Sequence, residues 1–215
     1  MKRRIVLLGP PASGKGTQAE IIRERFGIPI VSPGAILREE KRKDTELGRE
    51  ADKLTSQGKL LPDDVIIELV RSWLHEHQAE FVFDGFPRSL GQAAALESTL
   101  GKLGRPLDVA IALEASIETL HNRVANRLVC GNCGQIVAAG LHVASIGTAC
   151  PKCGGPLGRR RDDSPEILDA RLVEYAAKTE PLLDYYEKRN LLTRIDSARS
   201  PETVFASISA ILEGK

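Results

Sequence analysis

The chain carries near its amino terminus the stretch Gly9-Pro10-Pro11-Ala12-Ser13-Gly14-Lys15-Gly16-Thr17. This stretch satisfies the pattern G-x-x-x-x-G-K, whose glycines let the backbone curl until several N–H groups point at one anion. A short apolar run, Arg4–Leu8, precedes it, and apolar residues with helical spacing follow over Lys15–Phe26. Strand, loop and helix in this order predict a phosphate-binding loop in which Lys15 reaches the β- and γ-phosphates of a nucleotide.

Two further side chains are candidates for holding Mg²⁺ beside this loop. Gly16 stands where the loop usually has Ser or Thr, which makes Thr17 the only nearby hydroxyl that could reach the ion. Asp84 ends an apolar run at 80–84, and ligands of open parallel sheets bind at the carboxyl ends of the strands. An Asp at that edge can orient magnesium-bound water, although Asp is also common as a plain turn residue.

The rest of the chain alternates between two kinds of apolar pattern. Apolar runs predict further strands at 80–84, 108–114 and 191–196. Helical spacing predicts helices at 63–76, 89–103, 116–126, 164–186 and 201–212. Strands that alternate with helices indicate an α/β fold, with a parallel sheet covered on both faces. The segments 32–61 and 126–163 break this rhythm and are interpreted as insertions into the core.

Composition narrows the class of protein. The 215 residues include 30 Lys and Arg against 29 Asp and Glu, and this near balance argues against a dedicated nucleic-acid binder. No run of 18 apolar residues occurs, so no transmembrane helix is expected. The apolar run at 5–8 is too short for a signal peptide. We therefore expect a cytoplasmic protein with no membrane partner.

Four cysteines form two C-x-x-C pairs, Cys130 with Cys133 and Cys150 with Cys153, separated by sixteen residues. This spacing is typical of a tetrahedral Zn²⁺ site with four thiolates. Four protein ligands leave no position open for catalysis, so the ion would be structural, stabilising a small insertion that lacks its own core. Two disulfides or an iron–sulfur cluster are the alternatives.

The sequence resembles the adenylate kinase family over nearly its whole length, through the G-K-G-T loop, Asp84-Gly85-Phe86-Pro87-Arg88 and Gln92. The resemblance implies a P-loop core with five parallel strands, made of residues 1–31, 62–125 and 164–215. It implies an AMP-binding insertion at 32–61 and a zinc-binding lid at 126–163. The implied activity is reversible phosphoryl transfer from ATP with Mg²⁺ to AMP, giving two ADP, by a monomer.

The resemblance also implies roles for individual residues. ATP contacts are expected at Ala12, Ser13, Gly14, Lys15, Gly16, Thr17, Arg123, Arg127, Ile136, Val137 and Arg199. AMP contacts are expected at Pro33, Arg38, Lys59, Leu60, Leu61, Gly85, Phe86, Pro87, Arg88, Gln92, Arg160 and Arg171, with Gln92 against the adenine. Catalysis is assigned to Lys15, Arg88, Arg127, Arg160 and Arg171, which stabilise phosphate charge, and to Asp84, which orients the water on Mg²⁺.

Some positions depart from the family pattern. Pro33 and Ala35 stand where the family usually has Thr and Asp, so a polar contact with the acceptor is missing. This leaves open a kinase for another acceptor, such as UMP or CMP. A zinc-ribbon module that binds nucleic acid is the alternative from another class, but aromatic residues for base stacking make up only 4% of the chain.

Overall fold

The strand that precedes the phosphate loop is the central strand of a parallel sheet. The computed structural model describes residues 1–55, 61–76, 80–138, 145–160 and 163–214, without the side chains of residues 38, 39, 47, 52, 55 and 138. In spatial order the sheet consists of β2 (Ile30–Val31), β3 (Phe81–Asp84), β1 (Arg4–Leu8), β4 (Val109–Glu114) and β8 (Leu192–Asp196). All neighbouring pairs are parallel, which confirms the predicted five-stranded sheet.

Both faces of this sheet are buried, as parallel sheets require. Successive residues of β1 point to opposite faces: Ile5 and Leu7 join one apolar cluster, whereas Val6 and Leu8 join the other. The helices in the described residues are α1 (Lys15–Phe26), α2 (Pro33–Arg42), α3 (Glu46–Thr55), α4 (Asp63–Glu76), α5 (Leu90–Lys102), α6 (Ile117–Ala125), α7 (Pro165–Glu174), α8 (Pro181–Glu187) and α9 (Pro201–Glu213). None of these described helices is long and apolar enough to cross a membrane.

One predicted helix is not continuous. The prediction of a single α-helix over 164–186 is wrong, because a π-helical turn at Tyr175–Thr179 separates α7 from α8. Pro181 has no N–H, so it cannot donate the next hydrogen bond of a regular α-helix. The N–H of Glu180 instead donates to the carbonyl of Tyr175, five residues earlier, at 2.9 Å. This wider turn ends at Thr179, whose side chain reaches the candidate site described below.

The segment that contains the cysteines forms a second sheet. It is antiparallel and has the order β6 (Ile136–Ala138), β5 (Arg127–Cys130) and β7 (Leu157–Gly158). Its buried cluster consists of Leu128, Cys130, Cys150 and Leu157. Such a small apolar cluster is poor support for an independent sheet, which fits a segment stabilised by a metal ion.

Candidate functional site

The phosphate loop leaves β1 at the carboxyl edge of the sheet and ends where α1 begins, at Lys15. Gly9 has φ of 140°, and a Cβ placed there would lie 2.4 Å from the Leu113 carbonyl oxygen and 2.7 Å from Ser13 Oγ. Only glycine therefore fits at the start of the loop. The positive end of α1 faces the space that the loop surrounds, as in anion-binding loops.

The Lys15 ammonium lies inside this loop. Its Nζ donates hydrogen bonds to the carbonyls of Gly9 at 2.7 Å and Pro10 at 2.8 Å. Burial lowers the pKa of Lys15 from 10.5 to about 8. The negative charge of Asp84 raises this pKa, whereas the positive charges of Arg88 and Arg127 lower it further. Predicted site residues from separate parts of the sequence, Asp84, Arg88 and Arg127, thus lie close enough to act on this ammonium electrostatically.

Asp84 lies beside the loop because β3 is the neighbour of β1, with Asp84 in register with Leu7. A Cβ placed on Gly16 would lie 3.3 Å from Asp84 Oδ2, which is closer than an ordinary contact. Gly16 therefore leaves room for the carboxylate, and this explains why the usual Ser or Thr is missing after the lysine. Thr17 follows in the first turn of α1, half-buried.

Arg88 is held firmly by three neighbours. Its Nε donates to the Gly85 carbonyl at 2.6 Å, and its backbone N–H donates to Gln92 Oε1 at 2.7 Å. Its carbonyl accepts from Thr179 Oγ1 at 2.9 Å. Burial lowers the pKa of Arg88, an effect that Asp84 opposes and Arg171 reinforces. Arg171, on α7, is therefore close enough to share the same electrostatic environment.

Gln92, the predicted adenine-binding residue, lies in the first turn of α5 and is 2% exposed. Its Nε2 donates to Asp63 Oδ1 at 2.7 Å, and Asp63 Oδ2 accepts from Ser89 Oγ at 2.5 Å. The sequence analysis missed Asp63 as part of this site. The only available signal was its position directly after Pro62, at the start of a helix, which by itself indicates a helix terminus.

Two further arginines lie near the loop and at the start of the second sheet. Arg123 donates to the Ala12 carbonyl at 3.3 Å and also to the Ser197 carbonyl. Burial lowers the pKa of Arg123, and the negative charge of Asp196 partly offsets this effect. Arg127 donates from Nε to Asp163 Oδ2 at 2.7 Å, with a second bond from Nη2 to Oδ1. The Asp163 side chain is 1% exposed, so this pair is a buried contact at the base of the cysteine-containing segment.

The remaining predicted residues are placed as follows. Arg199 is exposed, 3.5 Å from Asp196, and Ile136 and Val137 lie on β6 of the second sheet. Pro33 is buried at the start of α2. The other buried residues of the predicted set are Leu61, Phe86 and Pro87, whereas Arg160, in the segment between β7 and α7, is half-buried. Lys59, Leu60 and the side chain of Arg38 lie outside the described residues.

The four cysteines converge on one point, with all sulfur atoms within 4.8 Å of one another. The Sγ atoms of Cys130 and Cys153 are 3.5 Å apart, and those of Cys133 and Cys150 are 3.8 Å apart. A tetrahedral ion with bonds of about 2.3 Å to sulfur requires separations of about 3.8 Å, so the geometry fits a single metal ion. All four cysteines are free, so the disulfide alternative is not what the structure shows.

Two of the cysteine thiols have pKa values that are shifted in opposite directions. The backbone N–H groups of Cys133 and Asn132 help to lower the pKa of Cys130 to about 6. The Gly155 N–H lowers the pKa of Cys153, but the neighbouring sulfur atoms raise it further, to about 12. The first thiol therefore ionises readily, whereas the last thiolate needs a cation to offset the repulsion of its neighbours.

The parallel sheet, the glycine-rich loop at its carboxyl edge and the lysine at the helix start define a P-loop nucleotide-binding protein. A family model described as Adenylate kinase matches residues 7–191. An adenylate kinase of Thermodesulfovibrio yellowstonii is 40% identical over 214 residues, covering 99% of this chain and 100% of the relative. Adenylate kinases of Archaeoglobus fulgidus and Bacillus pumilus are also 40% identical, over 97% and 98% of both chains. The chain belongs to the adenylate kinase family of nucleoside monophosphate kinases.

Proposed function

We propose that this protein transfers a phosphoryl group reversibly between ATP and AMP, giving two ADP. The observation that carries the proposal is the grouping of Lys15, Asp84 and Arg88 at the carboxyl edge of the parallel sheet. Phosphoryl transfer needs little covalent chemistry from a protein, because positioning and electrostatic stabilisation of phosphate oxygens supply most of the rate enhancement. A partly buried set of fixed cations next to one carboxylate suits this task.

Each member of the set has a distinct part in the proposal. Lys15 would bind the terminal phosphates of ATP, while Arg88 would hold the AMP phosphate in line with them. Arg127 and Arg160, from the lid, and Arg171, from α7, would stabilise the charge of the transferred group.

Magnesium enters through the nucleotide. Asp84 and Thr17 would hold the ion through its water molecules, since the Asp84 carboxylate lies directly beside Gly16 of the loop. When bound, Mg²⁺ neutralises phosphate charge.

We also propose that the metal at the four cysteines is zinc and that its role is structural. The single-ion geometry and the four thiolates support zinc, and the complete set of protein ligands leaves no open position for substrate. The segment 126–163 would then be a lid that closes over ATP and excludes water, and 32–61 would bind AMP. The proposal includes a cytoplasmic monomer, which light scattering after size-exclusion chromatography would test for oligomeric state.

The experiment is a coupled assay of the purified protein with MgATP and each of AMP, CMP, UMP and GMP. Fastest turnover is expected with AMP. CMP and UMP are included because Pro33, buried at the start of α2, offers neither a hydroxyl nor an N–H to the acceptor.

The matched variant is Gln92→Leu, which removes the amide that we assign to the adenine. Losing a buried, paired amide costs about 1–3 kcal/mol, so KM for AMP should rise roughly ten- to a hundredfold while KM for ATP changes little. Faster turnover with CMP or UMP, or an equal effect of Gln92→Leu on both substrates, would overturn the adenylate assignment.

A further inference from the structure

The Gln92 side chain is held at both ends by groups of opposite hydrogen-bonding character. Its Oε1 accepts from the backbone N–H of Arg88 at 2.7 Å, and its Nε2 donates to Asp63 Oδ1 at 2.7 Å. A backbone N–H can only donate and an ionised carboxylate can only accept. Rotating the amide by 180° would therefore place N–H against N–H at one end and oxygen against oxygen at the other.

Asp63 is fixed in its turn by a closed ring of hydrogen bonds. Its Oδ2 accepts from Ser89 Oγ at 2.5 Å, and Ser89 Oγ accepts from the Gln92 backbone N–H at 3.1 Å as the N-cap of α5. The carboxylate therefore links the start of α4 to the start of α5 through two separate oxygens. It cannot rotate without losing both bonds, so the orientation of the Gln92 amide is set by rigid neighbours.

An amide offers two N–H donors and two oxygen lone pairs. In the described part of the chain, Gln92 uses one donor for Asp63 and one lone pair for Arg88, which leaves one donor and one acceptor in a fixed spatial order. Adenine presents a 6-amino donor beside the N1 acceptor. Hypoxanthine and guanine present a 6-oxo acceptor beside an N1–H donor, which is the reverse order. A fixed amide can match the first order only.

We propose that Asp63 is a positioning residue that determines the preference for 6-aminopurine over 6-oxopurine monophosphates, by holding the Gln92 amide in one orientation. The proposal rests on the proposed function, in which Gln92 contacts the base of AMP. It predicts that removing the carboxylate leaves the amide attached at the Arg88 end alone. The amide could then turn to accept a 6-oxopurine, at the cost of one hydrogen bond instead of two.

The test measures kcat/KM for AMP and for IMP, with saturating MgATP, in the wild type and in variants. In Asp63→Ala the ratio of AMP to IMP should fall about tenfold or more, since a mispaired buried amide is what rejects IMP. KM for ATP should stay unchanged. Asp63→Asn should lower the ratio as well, because its amide group can turn to donate to a rotated Gln92 Oε1 and so no longer fixes the orientation, whereas a carboxylate can only accept.

Asp64→Ala is the matched control, because Asp64 is exposed and lies in the same first turn of α4. It should leave the ratio of AMP to IMP unchanged, which separates the effect of amide orientation from a general loss of helix stability. If Asp63→Ala unfolds below the assay temperature, Asp63→Ser provides the same test, since serine is favoured at helix starts but lacks the carboxylate.

The outcomes distinguish this inference from the proposed function. If Gln92→Leu lowers the ratio of AMP to IMP but Asp63→Ala behaves like Asp64→Ala, the role of Asp63 is overturned and the proposed function stands. If the wild type does not use AMP, the proposed function fails. If the wild type uses AMP but Gln92→Leu leaves the ratio unchanged, Gln92 does not contact the base and this inference alone is overturned. A fall in the ratio with both Asp63→Ala and Asp63→Asn, with no change in Asp64→Ala, supports the proposal.

Discussion

Raising the pH from 7 to 9 should weaken the binding of ATP through the deprotonation of Lys15. Its pKa of about 8 in the unliganded protein lies below the ordinary value of 10.5, because the ammonium is buried beside Arg88 and Arg127. Bound phosphates would favour the charged ammonium and raise this pKa. At any pH where Lys15 is deprotonated in the free protein, the binding of ATP would therefore be accompanied by the uptake of a proton.

The size of the effect follows from the pKa. With a pKa of about 8, Lys15 is roughly 90% protonated at pH 7 and roughly 10% protonated at pH 9. If the ammonium form alone binds tightly, affinity falls about tenfold over this range, or about 1.4 kcal/mol. The neighbouring cations are arginines, which remain charged throughout. Phosphate groups, with a second pKa of about 6, are already mostly ionised at pH 7.

Isothermal titration calorimetry of Mg²⁺-free ATP, in two buffers of different ionisation enthalpy, measures both affinity and proton uptake. Uptake should be about half a proton at pH 8 and about 0.9 at pH 9. Lys15→Arg is the control, because a guanidinium does not titrate in this range and its curve should be flat. Affinity that is independent of pH in the wild type, or an equal slope in Lys15→Arg, would refute the reasoning.

Two further predictions concern the metal and the π-helical turn. Removing the metal with a strong chelator should lower Tm more than it lowers kcat at 25 °C, because the ion stabilises the segment and the four cysteines themselves bind no substrate in the proposal. Elemental analysis should find one zinc per chain, and iron or no metal would contradict the assignment. Thr179→Val should destabilise the fold by about 1–3 kcal/mol in denaturant unfolding and raise KM for AMP more than for ATP, since it removes the 2.9 Å bond to the Arg88 carbonyl. Thr179→Ser should behave as the wild type, and an equal loss in both variants would rule out a role for the hydroxyl.

The parts of the fold that could be predicted from the sequence are those with local causes. The phosphate loop needs glycines at fixed places next to a lysine, and each buried strand needs a continuous apolar run. Accordingly, the strand Arg4–Leu8 and the helices Lys15–Phe26 and Asp63–Glu76 have the predicted bounds. The strand Ile30–Val31 was not predicted, because two residues are too few to show any periodicity.

The contacts that were missed depend on the tertiary structure. Asp63 and Gln92 are 29 residues apart, and Arg127 and Asp163 are 36 residues apart. Each residue alone has an adequate local interpretation, as a helix-terminal acid or a surface charge, so no sequence pattern indicates the pairing. Gly16 is a similar case, because a side chain at this position would crowd the carboxylate of Asp84, which lies on the strand β3.

Four cations of the proposed nucleotide site already donate to oxygen atoms of the protein. These pairs are Lys15 with the Gly9 and Pro10 carbonyls, Arg88 with the Gly85 carbonyl, Arg123 with the Ala12 carbonyl and Arg127 with Asp163. Phosphates would therefore replace existing acceptors, and the hydrogen bonds formed would largely offset those broken. The net gain comes from charge, because a phosphate is an anion and a carbonyl is not. Arg127 gains least by this argument, since its present partner is already a buried carboxylate. Its contribution to ATP binding should depend on whether lid closure separates it from Asp163.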